Sequence, residues 1–205
     1  MMDKTEHKVT DIREIKTKEA VYGAFLTLIE HLSFAEITVK AICEEARISR
    51  STFYDHFEDK YHLLRSLMQT LSEDVARDFV YFERSTPAAL PMLGLSDSYR
   101  KLYQEIFFNP DNAIMRDIYQ DVISSDIVEK ICQYQGLNEK EREISFPKLR
   151  AAGDFYAGGI LSVMRLWCSG KSALSANEMA DCIRVLLSDL HSQGSSILRV
   201  PSSPK

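Results

Sequence analysis

ISRSTFYDHFEDK, residues 48–60, sets three small hydroxyls and an arginine ahead of and around two phenylalanines spaced four apart. Residues four apart share one side of a helix, so Phe53 and Phe57 predict a short helix with an aromatic inner face. Ser49 stands where a hydroxyl can accept an amide of the first turn and start that helix. Arg50, Ser51, Thr52, Tyr54 and His56 then fall on the polar side, and the question is what that side touches. The residues before it narrow the answer. Thr38 is placed to cap an earlier helix in which Val39, Ile42, Cys43 and Ala46 recur at helical spacing. A helix over 39–46, a three-residue turn and a helix over about 50–57 have the layout of a helix-turn-helix, with small Cys43 and Ala46 allowing close approach.

Working outward, residues 1–16 are polar and charged without apolar periodicity, which predicts a flexible arm. Val21, Ala24, Phe25, Leu28 and Leu32 then form one helical stripe. Asp59 caps a fourth helix carrying Tyr61, Leu64, Leu67, Met68 and Leu71. The stretch STPAALPMLGLS, 85–96, holds two prolines and a glycine and is a candidate boundary. Beyond it, helical spacing covers Leu102–Phe107, Ile114–Ile123 and, as a separate segment, Ile127–Ile131. GLNEKERE, 136–143, reads as a solvated connection. Pro147 suits the first turn of a long helix that reaches Trp167, and Met179–Leu190 forms a last amphipathic helix. The expected fold is all-α: an N-terminal three-helix helix-turn-helix domain over 17–65, then a helical regulatory and dimerisation bundle over 66–193 and a disordered tail over 194–205.

Composition bounds the function. In 205 residues, apolar types make up 45% and charged types 27%, enough for a sizeable core, while only 8 Gly and 6 Pro argue against a turn-rich β architecture. No run approaches the roughly 18 apolar residues of a membrane span, and the N-terminus lacks a signal core, so a cytoplasmic location is expected. A net charge of −5 counts against an indiscriminate nucleic-acid coat but leaves room for a specific reader. Cys43, Cys132, Cys168 and Cys182 show no metal-ligand spacing and are expected to be small buried hydrophobes; neither a metal nor a cofactor is implied. SGKS at 169–172 is not a phosphate loop, because the position five before Gly170 is Arg165, inside a helix. The histidines lie at 7, 31, 56, 62 and 191, leaving the middle of the chain without a base beside a nucleophile. An enzyme is not expected.

The segment ITVKAICEEARISRSTFYDHFEDKYHLL, 37–64, resembles the DNA-binding domain of the TetR family of bacterial transcriptional regulators. Thr38, Ser49, Thr52, Tyr54, Phe57 and Lys60 fall on that family's pattern. FFNPDNAIM and FYAGGILSVMRLWCSGKSALSANEMADCIRVLL are similar to one branch of it. The resemblance implies a homodimer on a double-stranded, pseudo-palindromic operator, responding to a small-molecule effector or a protein coactivator. Repression is the expected mode; activation, or an interaction protein whose helix-turn-helix no longer reads DNA, are the alternatives. Arg50 has the chemistry for guanine, and Thr52 for a thymine methyl or a phosphate. Tyr54 and His56 would lie on the backbone or a base edge by the same resemblance. Lys60 and Thr38, at helix starts, would hold phosphates, with Ser49 and Ser51 completing the set. Between Thr38 and His62, four cations face five carboxylates, so a modest salt dependence is expected. Arg47 and Ser51 occupy positions where the family often has glycine, so Arg47 must take a left-handed conformation or a different turn, with about 1 kcal/mol of strain. In the second half, Tyr99, Tyr103, Phe107, Tyr119, Phe155, Tyr156 and Met164 are candidate effector-pocket residues. Gly159, Val163, Trp167, Ile183 and Leu187 are candidates for the dimer surface.

Overall fold

The computed structural model describes residues 12–80 and 97–174, with 178, 179, 182 and 185. Among them the regular structure is helical, with no strand. The helices are α1 (Ile12–Ile29), α2 (Val39–Ala46), α3 (Arg50–Tyr54), α4 (Lys60–Val80), α5 (Asp97–Phe108), α6 (Ala113–Gln135) and α7 (Glu139–Cys168), with a 3-10 turn over Pro110–Asn112 before α6. Contacts divide the chain into two compact units, Met1–Leu63 and Leu64–Lys205.

In the first unit the apolar stripe of α1 (Val21, Ala24, Phe25, Ile29) is buried, as are Phe34, Ile37, Ile42, Phe53 and Phe57. The rings meet at angles: Phe25 and Phe34 edge to face at 6.0 Å, Phe53 and Phe57 tilted at 5.4 Å. Such pairs add about 0.5–1.5 kcal/mol beyond burial, and aromatics thereby anchor three short helices that would not persist alone. α1 starts at Ile12, so residues 12–16, expected in a flexible arm, are helical. Local pairs account for it: Lys18 reaches Glu14 at 2.9 Å and the Thr17 hydroxyl donates to the Arg13 carbonyl at 2.8 Å, although Ile12 and Ile15 stay exposed.

Three expectations for the second unit change. α6 is one helix where two segments were expected, because Ser124 is buried with its hydroxyl donating to Asp154 of α7 at 2.7 Å and does not break the chain. α7 begins at Glu139, inside the supposed connection, where Asn138 and Glu141 cap each other reciprocally. Pro147 consequently lies within α7, where it cannot donate to the Glu143 carbonyl. Within the unit, the close approach of α6 and α7 falls at Gly153. A Cβ there would stand 2.7 Å from both the carbonyl and the hydroxyl oxygen of Ser124, whereas Gly158 and Gly159 have open space on that side. Of the cysteines, Cys43 and Cys132 are buried, Cys168 is half-buried and Cys182 is exposed, so the expectation of burial fails for Cys182.

A charged relay joins α4, α6 and α7. Asp121 accepts from Arg65 at 2.6 Å and from Arg150 at 2.9 Å, and Arg150 also reaches Asp154. The hydrogen bond from Arg65 holds the Asp121 carboxyl below its usual range, with Arg150 adding to it; the Ser124 hydroxyl does the same for Asp154, again with Arg150. Folded-state pKa values depressed in this way contribute stability above the unfolded carboxylate range, near pH ~3.9, and lose it as pH falls through the folded values. Melting temperature should therefore drop on acidification below about pH 4, and Asp121→Asn should lessen that drop. Side chains this exposed limit the effect to about 1 kcal/mol or less per pair.

Candidate nucleic-acid interface

The three caps expected at the helix-turn-helix are formed by single side-chain atoms. Thr38 Oγ1 accepts the Ala41 amide at 3.1 Å, leaving its own proton available to a phosphate. Ser49 Oγ accepts the Thr52 amide at 3.0 Å and pairs with the Thr52 hydroxyl at 2.9 Å. Asp59 accepts from the amides of Tyr61 and His62 at 2.8 and 2.7 Å. Each such cap contributes about 1 kcal/mol.

α3 is a single turn and a half, ending at Tyr54 and not at Phe57. Phe57 nonetheless stays on the inner face, because its amide still donates to the Phe53 carbonyl at 2.9 Å. Arg50 and Ser51 are exposed, Thr52 and His56 half-buried. Tyr54 is 56% exposed, with its ring against the edge of Phe53. Among the described residues the Arg50 guanidinium makes no ion pair or hydrogen bond, so its full fork of donors is available.

Lys60 is different. Its ammonium donates to the carbonyls of Phe34, Ala35 and Ile37 at 2.8, 3.2 and 2.9 Å and lies 4.7 Å from the centre of the Phe34 ring. An ammonium has three protons, and all three are used within the α1–α2 loop. Burial lowers its pKa below that of an ordinary lysine. The phosphate clamp expected at this position is replaced by a brace between the loop and the start of α4. Lys60→Met, which keeps the stem and removes the donors, should cost about 2 kcal/mol in chemical denaturation. A residue serving only phosphate would leave stability unchanged.

Of the residues expected to line a pocket, Tyr103, Phe107, Tyr119 and Met164 are buried, Tyr99 and Tyr156 are half-buried, and Phe155 is 76% exposed. Tyr103, Phe107 and Tyr119 pack on one another with ring centres 5.8–6.3 Å apart, filling space rather than enclosing it. Burial raises both tyrosine hydroxyls above their usual range, that of Tyr119 to about 12. The expectation of a wall at Phe155 fails because α7 turns that side outward. An open cavity of about 600 Å³ lies elsewhere in the second unit, lined by Lys101, Gln104, Glu105, Asn109 and Cys168 among others. Sequence spacing gave no sign of it, since Glu105 is recognisable only once Asn109 and Asn112 are seen donating to its carboxylate at 2.9 and 2.8 Å. On α7, Gly159 is exposed and Val163 and Trp167 are half-buried, whereas Ile183 and Leu187 lie outside the described residues.

Residues 26–67 match the family model described as bacterial regulatory proteins, tetR family. The HTH-type transcriptional regulator YxbF of Bacillus subtilis, itself uncharacterised, is 38% identical over 68 residues; the match covers 33% of this chain and 18% of that protein. The chain thus spans less than a fifth of the curated relative it matches. Two solved structures share the fold. Lin0861 of Listeria innocua superposes with a TM-score of 0.60 at 19% identity over 88% of this chain and 94% of that one. A structure described as a TetR-family transcriptional regulator from Syntrophomonas wolfei gives 0.53 at 13% identity over 93% and 100%.

Proposed function

We propose that the chain, whose residues 26–67 match the tetR family model, is a sequence-specific transcriptional regulator that binds a pseudo-palindromic operator as a homodimer. The observation that carries this is the exposed face of α3. Arg50, Ser51 and Tyr54 are exposed, on a helix anchored from behind by Phe53 and held at its start by Ser49. α3 enters the major groove, Arg50 takes guanine O6 and N7, and Tyr54 lies along the backbone. Thr38, at the start of α2, donates to a phosphate of the same half-site. Two such units one helical turn apart, roughly 34–36 Å, match an inverted repeat.

Dimerisation uses the outward side of α7, where Phe155 and Leu166 are exposed and Gly158 and Gly159 leave room for a second helix. Repression relieved by a small-molecule effector is the mode the family resemblance favours, and the 600 Å³ cavity beside Glu105 has the size of a ligand site. Activation with a protein coactivator is the alternative. The acidic balance of the helix-turn-helix favours one further reading, a protein-binding module that no longer touches DNA.

Fluorescence anisotropy with a mixed-sequence duplex separates the DNA reader from the protein-binding module. Binding at about 50 mM salt that weakens with a shallow salt slope, and is reduced in Tyr54→Ala, is expected of the DNA reader. A folded protein that leaves the duplex free at that salt would leave the protein-binding reading standing.

A further inference from the structure

Arg47 is the only non-glycine residue with a positive φ among the described residues, at φ 56° and ψ 41°. It ends α2 in a left-handed cap: the Ile48 amide donates to the Cys43 carbonyl at 3.0 Å, and the Arg47 amide turns back to Glu44. The same device closes α6, where the Leu137 amide donates to the Cys132 carbonyl at 3.0 Å. There the left-handed position is held by Gly136, at φ 61°. The chain therefore uses glycine for this cap in one place and a strained, Cβ-bearing cation in the other. A Cβ in this region crowds the neighbouring carbonyl, so nothing in the cap itself favours arginine over glycine. Strain that the local fold does not require points to a use for the side chain.

The surroundings indicate which use. Arg47 is exposed and makes no ion pair or hydrogen bond through its guanidinium among the described residues. It precedes the Ser49 cap of α3 by two residues, and Arg50 follows that cap directly. Two free guanidiniums thus bracket the start of the helix whose outer face is assigned to DNA, in a segment whose overall balance is acidic. The nearby carboxylates do not take Arg47; Glu44 lies beside Lys40 instead, at 3.7 Å.

We infer that Arg47 is a phosphate-contacting residue, gripping the DNA backbone next to the groove that α3 enters. This rests on the DNA-binding reading above and adds a contact to it. A phosphate that presents two anionic oxygens suits the planar guanidinium fork, and a backbone contact requires no base-specific geometry of a residue on a turn. Position 47 would then keep a strained residue because the charge contributes to binding what the conformation loses in stability.

That exchange predicts effects of opposite sign, which a structural role would not produce. Arg47→Gly should raise the melting temperature by about 2–4 °C, since glycine suits the cap. It should also weaken binding to a mixed-sequence duplex. Loss of one phosphate contact per protomer lowers the slope of log affinity against log salt by about 2 for the dimer, so the advantage of the wild type should shrink roughly tenfold between 50 and 200 mM salt. Arg47→Lys should retain the slope, and Arg47→Gln should lose it without gaining stability. Wild-type binding with an Arg47→Gly slope equal to it would overturn the inference and leave the DNA reading intact. A folded wild type that binds no duplex would overturn both.

Discussion

Arg50→Ala should weaken the operator complex about 10²–10⁴-fold without altering the melting temperature. The estimate follows from about 1–3 kcal/mol for each bidentate arginine–guanine contact, made once in each half-site. Stability is untouched because the side chain is exposed and makes no ion pair or hydrogen bond among the described residues. The substitution should also relax selection at one base position in each half-site, which distinguishes a base contact from a phosphate contact. Arg50→Lys should recover part of the affinity through charge alone and little of the base preference, since an ammonium cannot reproduce the planar fork. Competition titrations with operators altered at single positions would measure both effects. Equal losses against every duplex would move Arg50 to the backbone.

Gly153→Val is expected to be the most damaging single change in the second unit, lowering stability by about 3 kcal/mol or more. The first added carbon would already lie 2.7 Å from the Ser124 carbonyl and 2.9 Å from a Val128 methyl. A backbone carbonyl inside α6 cannot yield without shifting the helix. Displacing Ser124 would also release the bond that holds Asp154. Gly153→Ala should cost less, about 1–3 kcal/mol before the gain in helix propensity is counted. Gly159→Ala provides the control: with nothing within 4 Å, it should leave the fold unharmed or stabilise it by up to about 1 kcal/mol. Urea titrations of the three variants would establish the order. A tolerant Gly153→Val would mean that α6 and α7 are not held at this point. If α7 also forms the dimer surface, Gly159→Leu should weaken self-association while sparing the fold, a separation that sedimentation can measure.

How much could be read in advance differs between the two halves for a physical reason. Thr38, Ser49 and Asp59 each act within three residues of themselves, by one side-chain oxygen on one amide, so position in the sequence nearly determines their role. Phe53 and Phe57 are equally local. Lys60 is not, because its partners lie 23–26 residues earlier, and a lysine at a helix start has the same appearance whether it faces phosphate or carbonyls. The beginning of α7 was legible in Asn138 and Glu141, a local cap signal, but Pro147 suggested a later start. Glycines posed the opposite difficulty. Gly153, Gly158 and Gly159 look alike in the sequence, and only the neighbour across from Gly153 shows which one the fold needs. The candidate pocket failed similarly: aromatic residues at helical spacing became packing at Tyr103, Phe107 and Tyr119, and surface at Phe155.

Selection from a random duplex library at about 100 mM salt, near physiological ionic strength, tests the central claim most directly. Wild-type protein should enrich an inverted repeat whose half-site centres lie about 10 base pairs apart, with guanine preferred at the position that Arg50 reaches. Tyr54→Ala, folded and dimeric, should enrich nothing. Failure of the folded wild-type dimer to enrich any sequence would contradict the assignment of α3 as a reader of DNA.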